Sequence, residues 1–196
     1  MSFSLFGTPV RISLPFTALL TLFFLIDRTG LATLSVATVL LHEAAHLAAM
    51  RICGVRPRLI RLVVGAVEIV APTGRLSRLR EICISAAGPA ANLLAGTLLC
   101  LFWSRPGAEA LQNAAVLQFC FGLFNLLPAA GLDGGSILAA LCAEKFARLP
   151  EIVSAAALTL LTAGGVILLF LCGGAGVLFS AVYLLITGLL CARRPA

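Results

Sequence analysis

The chain has 196 residues, of which 61% are hydrophobic and only 11% are charged, and its net charge is +6. Such a composition excludes an ordinary soluble domain and predicts an integral membrane protein. The length allows about six spans of roughly 20 residues each, which leaves no room for a sizeable soluble domain. We therefore expect residues 1–196 to form a single membrane-embedded domain.

Apolar runs separated by polar, glycine and proline breaks predict an all-α polytopic membrane protein with about six transmembrane helices. The predicted spans, in chain order, are about Leu14–Ile26, Leu31–Ile52, Ile82–Trp103, Ala110–Leu127 with an extension beyond it, Ile152–Leu171 and Val177–Cys191. The first run is short for a complete crossing, so its upstream end is expected nearer Val10.

The segment between the second and third spans differs from the spans themselves. It reads VRPRLIRLVVGAVEIVAPTGRL, in which Val, Ile and Leu mix with Arg, Gly and Pro in short runs. This texture predicts one or two β-strands with a turn, and hence a small membrane-associated β-hairpin region. The N-terminal stretch FSLFGTPVRISL has a similar texture. An amphipathic loop is the alternative for both segments.

Basic residues are distributed unevenly over the predicted loops. With both chain termini in the cytoplasm, all of the 14 Lys and Arg residues except Arg28 and Arg105 fall on the inner side. Because cytoplasmic loops collect Lys and Arg, this bias predicts an even number of crossings with both termini cytoplasmic. Topology and lipid-headgroup contacts account for the positive charge, so no nucleic-acid partner is expected.

A metal-ligand motif lies inside the second predicted span, in LLHEAAHLAAM. His42 and His46, the only two histidines of the chain, are four residues apart, and Glu43 follows the first. Positions i and i+4 share a helix face, so both imidazoles can reach one ion. This is the HExxH arrangement of zinc peptidases, in which the glutamate is the general base. The alternative is that His42, Glu43 and His46 bind no metal and only form hydrogen bonds with neighbouring helices. Burying three ionisable groups inside a span would then cost about a few kcal/mol.

A catalytic zinc needs a third protein ligand and an open position for water. Asp133 is the strongest candidate, because it lies in NLLPAAGLDGGSILAAL, an apolar stretch broken by proline and glycines. Unwound backbone at membrane depth must face protein or water, and an acid at such a break is by default a site residue. Most of the other acids lie in loops or at span ends, where solvation explains them: Asp27, Glu68, Glu81, Glu109, Glu144 and Glu151.

Three motifs in this order resemble the signatures of the site-2 protease family of intramembrane zinc metalloproteases. They are the HExxH motif that begins at His42, AAGPAANLL in the third span, and NLLPAAGLDGG after the fourth. The resemblance covers about residues 31–140, which would be the core of the domain. The chain departs from the family pattern at Gly131, where proline is usual, and at Ser136, where arginine is frequent.

The resemblance implies the chemistry of the site. His42, His46 and Asp133 would bind one Zn²⁺, with Glu43 as the general base. Asn92, the asparagine of the GPxxN signature, would be a further catalytic residue that holds the substrate or the oxyanion. The zinc would activate a water molecule, and Glu43 would take its proton and pass it to the leaving amine.

The resemblance also implies a membrane-tethered protein substrate, cut within or near its transmembrane segment, in the bacterial cytoplasmic membrane. The compact form, expected to lack PDZ and C-terminal regulatory domains, looks most like the sporulation branch, whose members release a tethered sigma factor. The lipid bilayer is the other expected partner, while an inhibitory or regulatory membrane partner and the oligomeric state are open. We expect the strand-like segment Leu59–Val70 to pair with the unwound substrate as an added β-strand.

Other interpretations stay open at this stage. A zincin-type site would take Glu68 as its third ligand, although that residue lies in a strand-like setting. A non-proteolytic metal- or ion-handling transporter would also tolerate intramembrane His, Glu and Asp, but no repeat symmetry between halves is found. Gly88 and Pro89 could serve only for a kink and close helix packing. Asn125 could cap the helix break or contact the substrate.

Overall fold

The computed structural model describes residues 2–5, 7–63, 66–70, 76–103, 107–142 and 148–172. These residues form a small sheet and six helices, which are α1 Leu14–Ile26, α2 Leu31–Ile52, α3 Arg78–Cys100, α4 Glu109–Asn125, α5 Asp133–Cys142 and α6 Leu149–Cys172. A mostly helical fold with a small strand region is confirmed, while the six membrane crossings stay a prediction. The last predicted span, Val177–Cys191, lies outside the described residues.

Two of the described helices, α2 and α3, are long and apolar enough to cross a membrane by length and composition. The shorter apolar helices are α1, α5 and the Leu149–Ala163 part of α6. The predicted extension of the fourth span does not continue α4, which ends at Asn125. It forms a separate helix, α5, of only 10 residues. Large apolar side chains are exposed on several helices, such as Leu25 at 80% and Leu160 at 73%. Such a surface is what lipid would cover.

The predicted strand region is a four-stranded mixed sheet in the order β1-β2-β3-β4. Its strands are β1 Ser2–Leu5, β2 Thr8–Ile12, β3 Leu59–Val63 and β4 Ala66–Val70. The pairs β1–β2 and β3–β4 are antiparallel, while β2–β3 is parallel with Arg11 opposite Arg61. Both edges of β3 are therefore occupied, and β1 and β4 form the two edges of the sheet.

The turn between α1 and α2 is held by Asp27. Its Oδ1 accepts hydrogen bonds from the amide and hydroxyl of Thr29, and its Oδ2 accepts one from the amide of Ala32 in the first turn of α2. These bonds, led by the Thr29 hydroxyl, lower the pKa of Asp27 below its ordinary value. The cap therefore stabilises the fold above about pH 4 and loses this effect as the pH falls through the lowered pKa.

Contacts group the chain into two units, residues 1–123 and residues 124–196. In the first unit, α3 buries Gly88, Pro89, Asn92 and Gly96, a face of small residues that permits close packing with α2. In the second unit, α5 packs on α6. The core of this unit is Ala129, Leu132 and Leu158, surrounded by half-buried apolar side chains.

Candidate metal centre

The two histidines lie on the buried face of α2. The buried positions of this helix include Thr38, His42, His46 and Met50, which recur every four residues and so form one stripe. Only 3% of His42 and 8% of His46 is exposed. Glu43, the next residue after His42, is half-buried beside this stripe. The HExxH spacing therefore brings both imidazoles to the same side of one helix.

Both imidazole rings are oriented through their Nδ1 atoms. His42 Nδ1 lies 2.6 Å from Asn92 Oδ1, and His46 Nδ1 lies 2.7 Å from the carbonyl oxygen of Ile84. A carbonyl oxygen can only accept, so each Nδ1 carries a proton and donates. In the neutral rings the lone pair is then on Nε2, which is the form that binds a metal.

The amide of Asn92 can face His42 in only one orientation. Its Nδ2 donates to the carbonyl oxygen of Thr38 over 3.2 Å and to Oε1 of Gln118. The Thr38 acceptor requires a donor, so the nitrogen must point there and Oδ1 must point at His42. Asn92 is completely buried and Gln118 is 7% exposed. The two amide protons of Asn92 are thus committed to neighbours on α2 and α4.

The Nε2 atoms of His42 and His46 converge. They are 3.0 Å apart, with the rings nearly perpendicular at 83°. Two nitrogen lone pairs this close repel each other, and a shared cation replaces the repulsion by two attractive bonds. Zinc–nitrogen bonds of about 2.0–2.1 Å in a tetrahedral site place two ligand atoms about 3.3 Å apart. The separation of the two histidines therefore fits a zinc-sized ion.

Gly88 on α3 leaves the space next to these two nitrogen atoms open. A Cβ at this position would collide with Nε2 of His46 and lie 2.7 Å from Nε2 of His42. Any residue larger than glycine would fill the cradle that a bound ion needs. Pro89 follows inside α3, which continues through it. The Gly88–Pro89 pair therefore allows α3 to lie close to the two histidines.

The second unit presents Asp133 as the first residue of α5. Its side chain is half-buried, and its Oδ2 atom is buried. A carboxylate in the first turn is favoured by the helix dipole. Gly134 and Gly135 follow, and a Cβ at either would collide with backbone carbonyls of the preceding turn, those of Leu126 and Ala129. The paired glycines thus let this turn fold back onto the start of α5.

The departure from the family pattern at Gly131 has a local structural consequence. Gly131 has φ +90, which the proline ring cannot adopt. The turn before Asp133 therefore follows a backbone path that depends on glycine. At the second departure, Ser136 continues α5 through its amide, which donates to the carbonyl oxygen of Leu132 over 3.2 Å.

The structure places the predicted residues of the first unit together, since His42 and His46 share one stripe and Asn92 contacts His42. Asn92 does so as an orienting hydrogen-bond partner, so its predicted oxyanion role would require its amide protons to leave Thr38 and Gln118. Glu68 lies on strand β4, not on a helix that would present a zincin ligand. The motifs did not identify Gln118. Gln118 could have been noticed in the sequence as a polar amide within the apolar middle of α4.

Three comparisons with known proteins bear on the family and the fold of the chain. Residues 107–172 match the family model Peptidase family M50. The zinc metalloprotease MJ0392 of Methanocaldococcus jannaschii is 26% identical over 165 residues, covering 75% of this chain and 46% of that protein. The chain therefore spans about half the length of this curated relative. The solved site-2 protease from Methanocaldococcus jannaschii superposes with a TM-score of 0.68 and 23% identity, covering 100% of this chain and 97% of that one.

The solved structure shows that this chain has the fold of a site-2 protease. The resemblance to the site-2 protease family is confirmed by the match of residues 107–172 to Peptidase family M50 and by the curated zinc metalloprotease.

Proposed function

We propose that the chain is a zinc metalloprotease of the site-2 type, which cuts a membrane-tethered protein within or near its transmembrane segment. The observation that carries this proposal is the pair of buried histidines, whose Nδ1 atoms are oriented and whose Nε2 atoms converge. Asp133 is the proposed third ligand, which would join His42 and His46 in a His-His-Asp donor set of the kind that holds a metal ion. With one position left for water, this is the ligand number of a catalytic zinc.

The bound zinc would supply a Lewis acid that activates water and polarises the peptide carbonyl. Glu43 follows His42 on α2 and is half-buried. Its carboxylate would take a proton from the attacking water and return it to the leaving amine. Asn92 would act on His42, and the apolar ring of Phe121, 5.0 Å from the His42 ring, would limit access of bulk water.

The direct test compares the wild type with Glu43→Gln during co-expression with candidate single-span substrates, including a membrane-tethered sigma factor. Because general acid–base catalysis contributes about 10²–10⁴-fold, cleavage should fall by at least about 100-fold while zinc content is unchanged. Cleavage of the sigma factor in particular would support a sporulation role. A Glu43→Gln protein that cuts normally, with His42→Ala abolishing a metal-dependent ion flux, would instead favour the transporter.

Among the described residues β4 is an edge strand of the sheet, and we propose that the substrate pairs along its outer side. A transmembrane helix must be unwound before its carbonyls can be attacked, and an extended segment can add to a free strand edge. The predicted segment Leu59–Val70 narrows to Ala66–Val70, because β3 is already paired with β2 and β4.

Proline substitutions test this edge. Successive amides of a strand point to opposite sides, so Val67→Pro and Glu68→Pro remove one amide facing β3 and one facing outward. We expect the variant that loses the outward-facing amide to cleave about tenfold more slowly or worse. It loses one hydrogen bond to the substrate, of about 1 kcal/mol, and the proline ring hinders the pairing of the substrate strand. Zinc should stay bound. Ser4→Pro on the opposite edge, β1, is the control. Normal turnover in both β4 variants would remove strand addition from the mechanism.

We further propose that the protein is a multi-pass protein of the bacterial cytoplasmic membrane, with both termini cytoplasmic. The basis is the charge bias of the loops. Reporter fusions at Arg105 and at Ala196 should report opposite sides of the membrane. The same side for both fusions would contradict this topology.

A further inference from the structure

A buried polar chain connects α4 to the candidate metal ligand His42. Gln118 Oε1 accepts a hydrogen bond from Asn92 Nδ2, and Asn92 Oδ1 accepts one from His42 Nδ1. Asn92 Nδ2 also donates to the carbonyl oxygen of Thr38, one helical turn before His42. Each of the three side chains is at most 7% exposed. These hydrogen bonds therefore join α2, α3 and α4 behind the imidazole of His42.

Gln118 is a polar side chain in an otherwise apolar part of its helix. It is an amide in the apolar middle of α4, where a polar side chain is costly unless its hydrogen bonds are satisfied. Leucine or methionine would fill the same volume without that cost. Its Oε1 takes the second amide proton of Asn92, so Gln118 and the Thr38 carbonyl oxygen together keep Asn92 from rotating its nitrogen toward His42.

The rotation matters because it would change the state of the ligand. With Nδ2 facing His42, the imidazole Nδ1 would have to accept, and the proton of the neutral ring would move to Nε2. An Nε2–H group cannot bind a metal. The orientation of the Asn92 amide therefore decides which nitrogen of His42 is available.

We infer that Gln118 is a positioning residue, which fixes the metal-binding tautomer of His42 through Asn92. The inference rests on the proposed metal site, and it concerns ligand affinity independently of proteolysis. Hydrogen-bond partners behind a metal ligand typically contribute about 10–100-fold to metal affinity or activity. We expect a contribution in this range from the Gln118–Asn92 pair.

The test is a double-mutant cycle on zinc affinity. The variants are Gln118→Met, which keeps the volume and removes the oxygen, Asn92→Leu, and the two combined. Zinc binding is measured on the full chain against a competing chelator, with the Co²⁺ absorption spectrum as a second readout of ligand geometry. Gln112→Met is the matched control, since Gln112 lies on the same helix and bonds instead to the Trp103 carbonyl.

We expect Gln118→Met to weaken zinc binding about tenfold and to alter the Co²⁺ spectrum, with Gln112→Met like the wild type. Because Gln118 acts through Asn92, adding Gln118→Met to Asn92→Leu should cause no further loss. Wild-type affinity and spectrum in Gln118→Met would overturn the inference, as would losses that simply add. Neither outcome would affect the cleavage result for Glu43→Gln, so the two proposals fail separately.

Discussion

Replacing Gly88 by alanine is expected to abolish zinc binding and cleavage together. The added Cβ would collide with His46 Nε2 and lie 2.7 Å from His42 Nε2, in the space next to both metal-binding atoms. The neighbours are ligand atoms on oriented rings, so they cannot move aside without losing the site. The effect should exceed the roughly 10–100-fold losses that follow changes behind a ligand. Metal analysis of the purified protein measures it directly.

The matched control for this prediction is Gly96→Ala. Gly96 lies on the same buried face of α3, two turns further along, and its Cβ would be 3.1 Å from the ring of Phe119. That ring can shift by a few tenths of an ångström, so zinc content should stay normal and stability should change only slightly. Full zinc occupancy in Gly88→Ala would contradict the position assigned to the ion.

Asp133→Ala is expected to have the second large effect, a loss of stoichiometric zinc. Two neutral histidines alone leave the dication without a charged ligand and with only two of the usual three protein ligands. Zinc affinity should again fall by more than about 100-fold, because changes to groups behind a ligand already cost about 10–100-fold. Zinc content of the purified variants is the measurement.

Glu68→Ala provides the comparison for Asp133→Ala. Glu68 lies on β4 and was the alternative third ligand, so its removal should leave zinc in place. The reverse result, with zinc retained in Asp133→Ala and lost in Glu68→Ala, would make the site zincin-like and would exclude Asp133 as the ligand.

The apolar runs Leu14–Ile26 and Leu31–Ile52 coincide with α1 and α2, because Asp27 and Gly30 separate them. The further expectation that the first span begins nearer Val10 is wrong, because Val10 lies in strand β2. It placed the start of α3 at Ile82, whereas the helix begins at Arg78. The charged first turn was assigned to the loop, since hydropathy reports the apolar part of a helix and not its hydrogen bonding. The separate helix α5 was missed for a related reason, because an apolar run broken by glycine does not reveal where helix resumes.

The sheet was predicted in part. Both strand-like segments were recognised by their composition, but their joining into one sheet was not. The parallel pairing of β2 with β3 connects residues about 50 positions apart, such as Val10 with Ile60. Long-range pairing depends on how the intervening helices pack, which local residue patterns do not encode.

The candidate site was predictable where chemistry imposes a spacing. HExxH places His42 and His46 on one face in any helix. No spacing rule links Asn92 to His42 or Gln118 to Asn92, because those contacts join three helices. The need for glycine at position 88 likewise depends on how closely α3 approaches the two imidazoles.

The central claim is most directly tested by removing and restoring the metal in the purified full chain, reconstituted in lipid vesicles with a labelled single-span substrate. Cleavage should disappear when a chelator removes the zinc and return when one equivalent of Zn²⁺ is added, while Glu43→Gln rebinds zinc and stays inactive. Cleavage that continues unchanged in the metal-free protein would contradict a zinc-dependent protease built on His42 and His46.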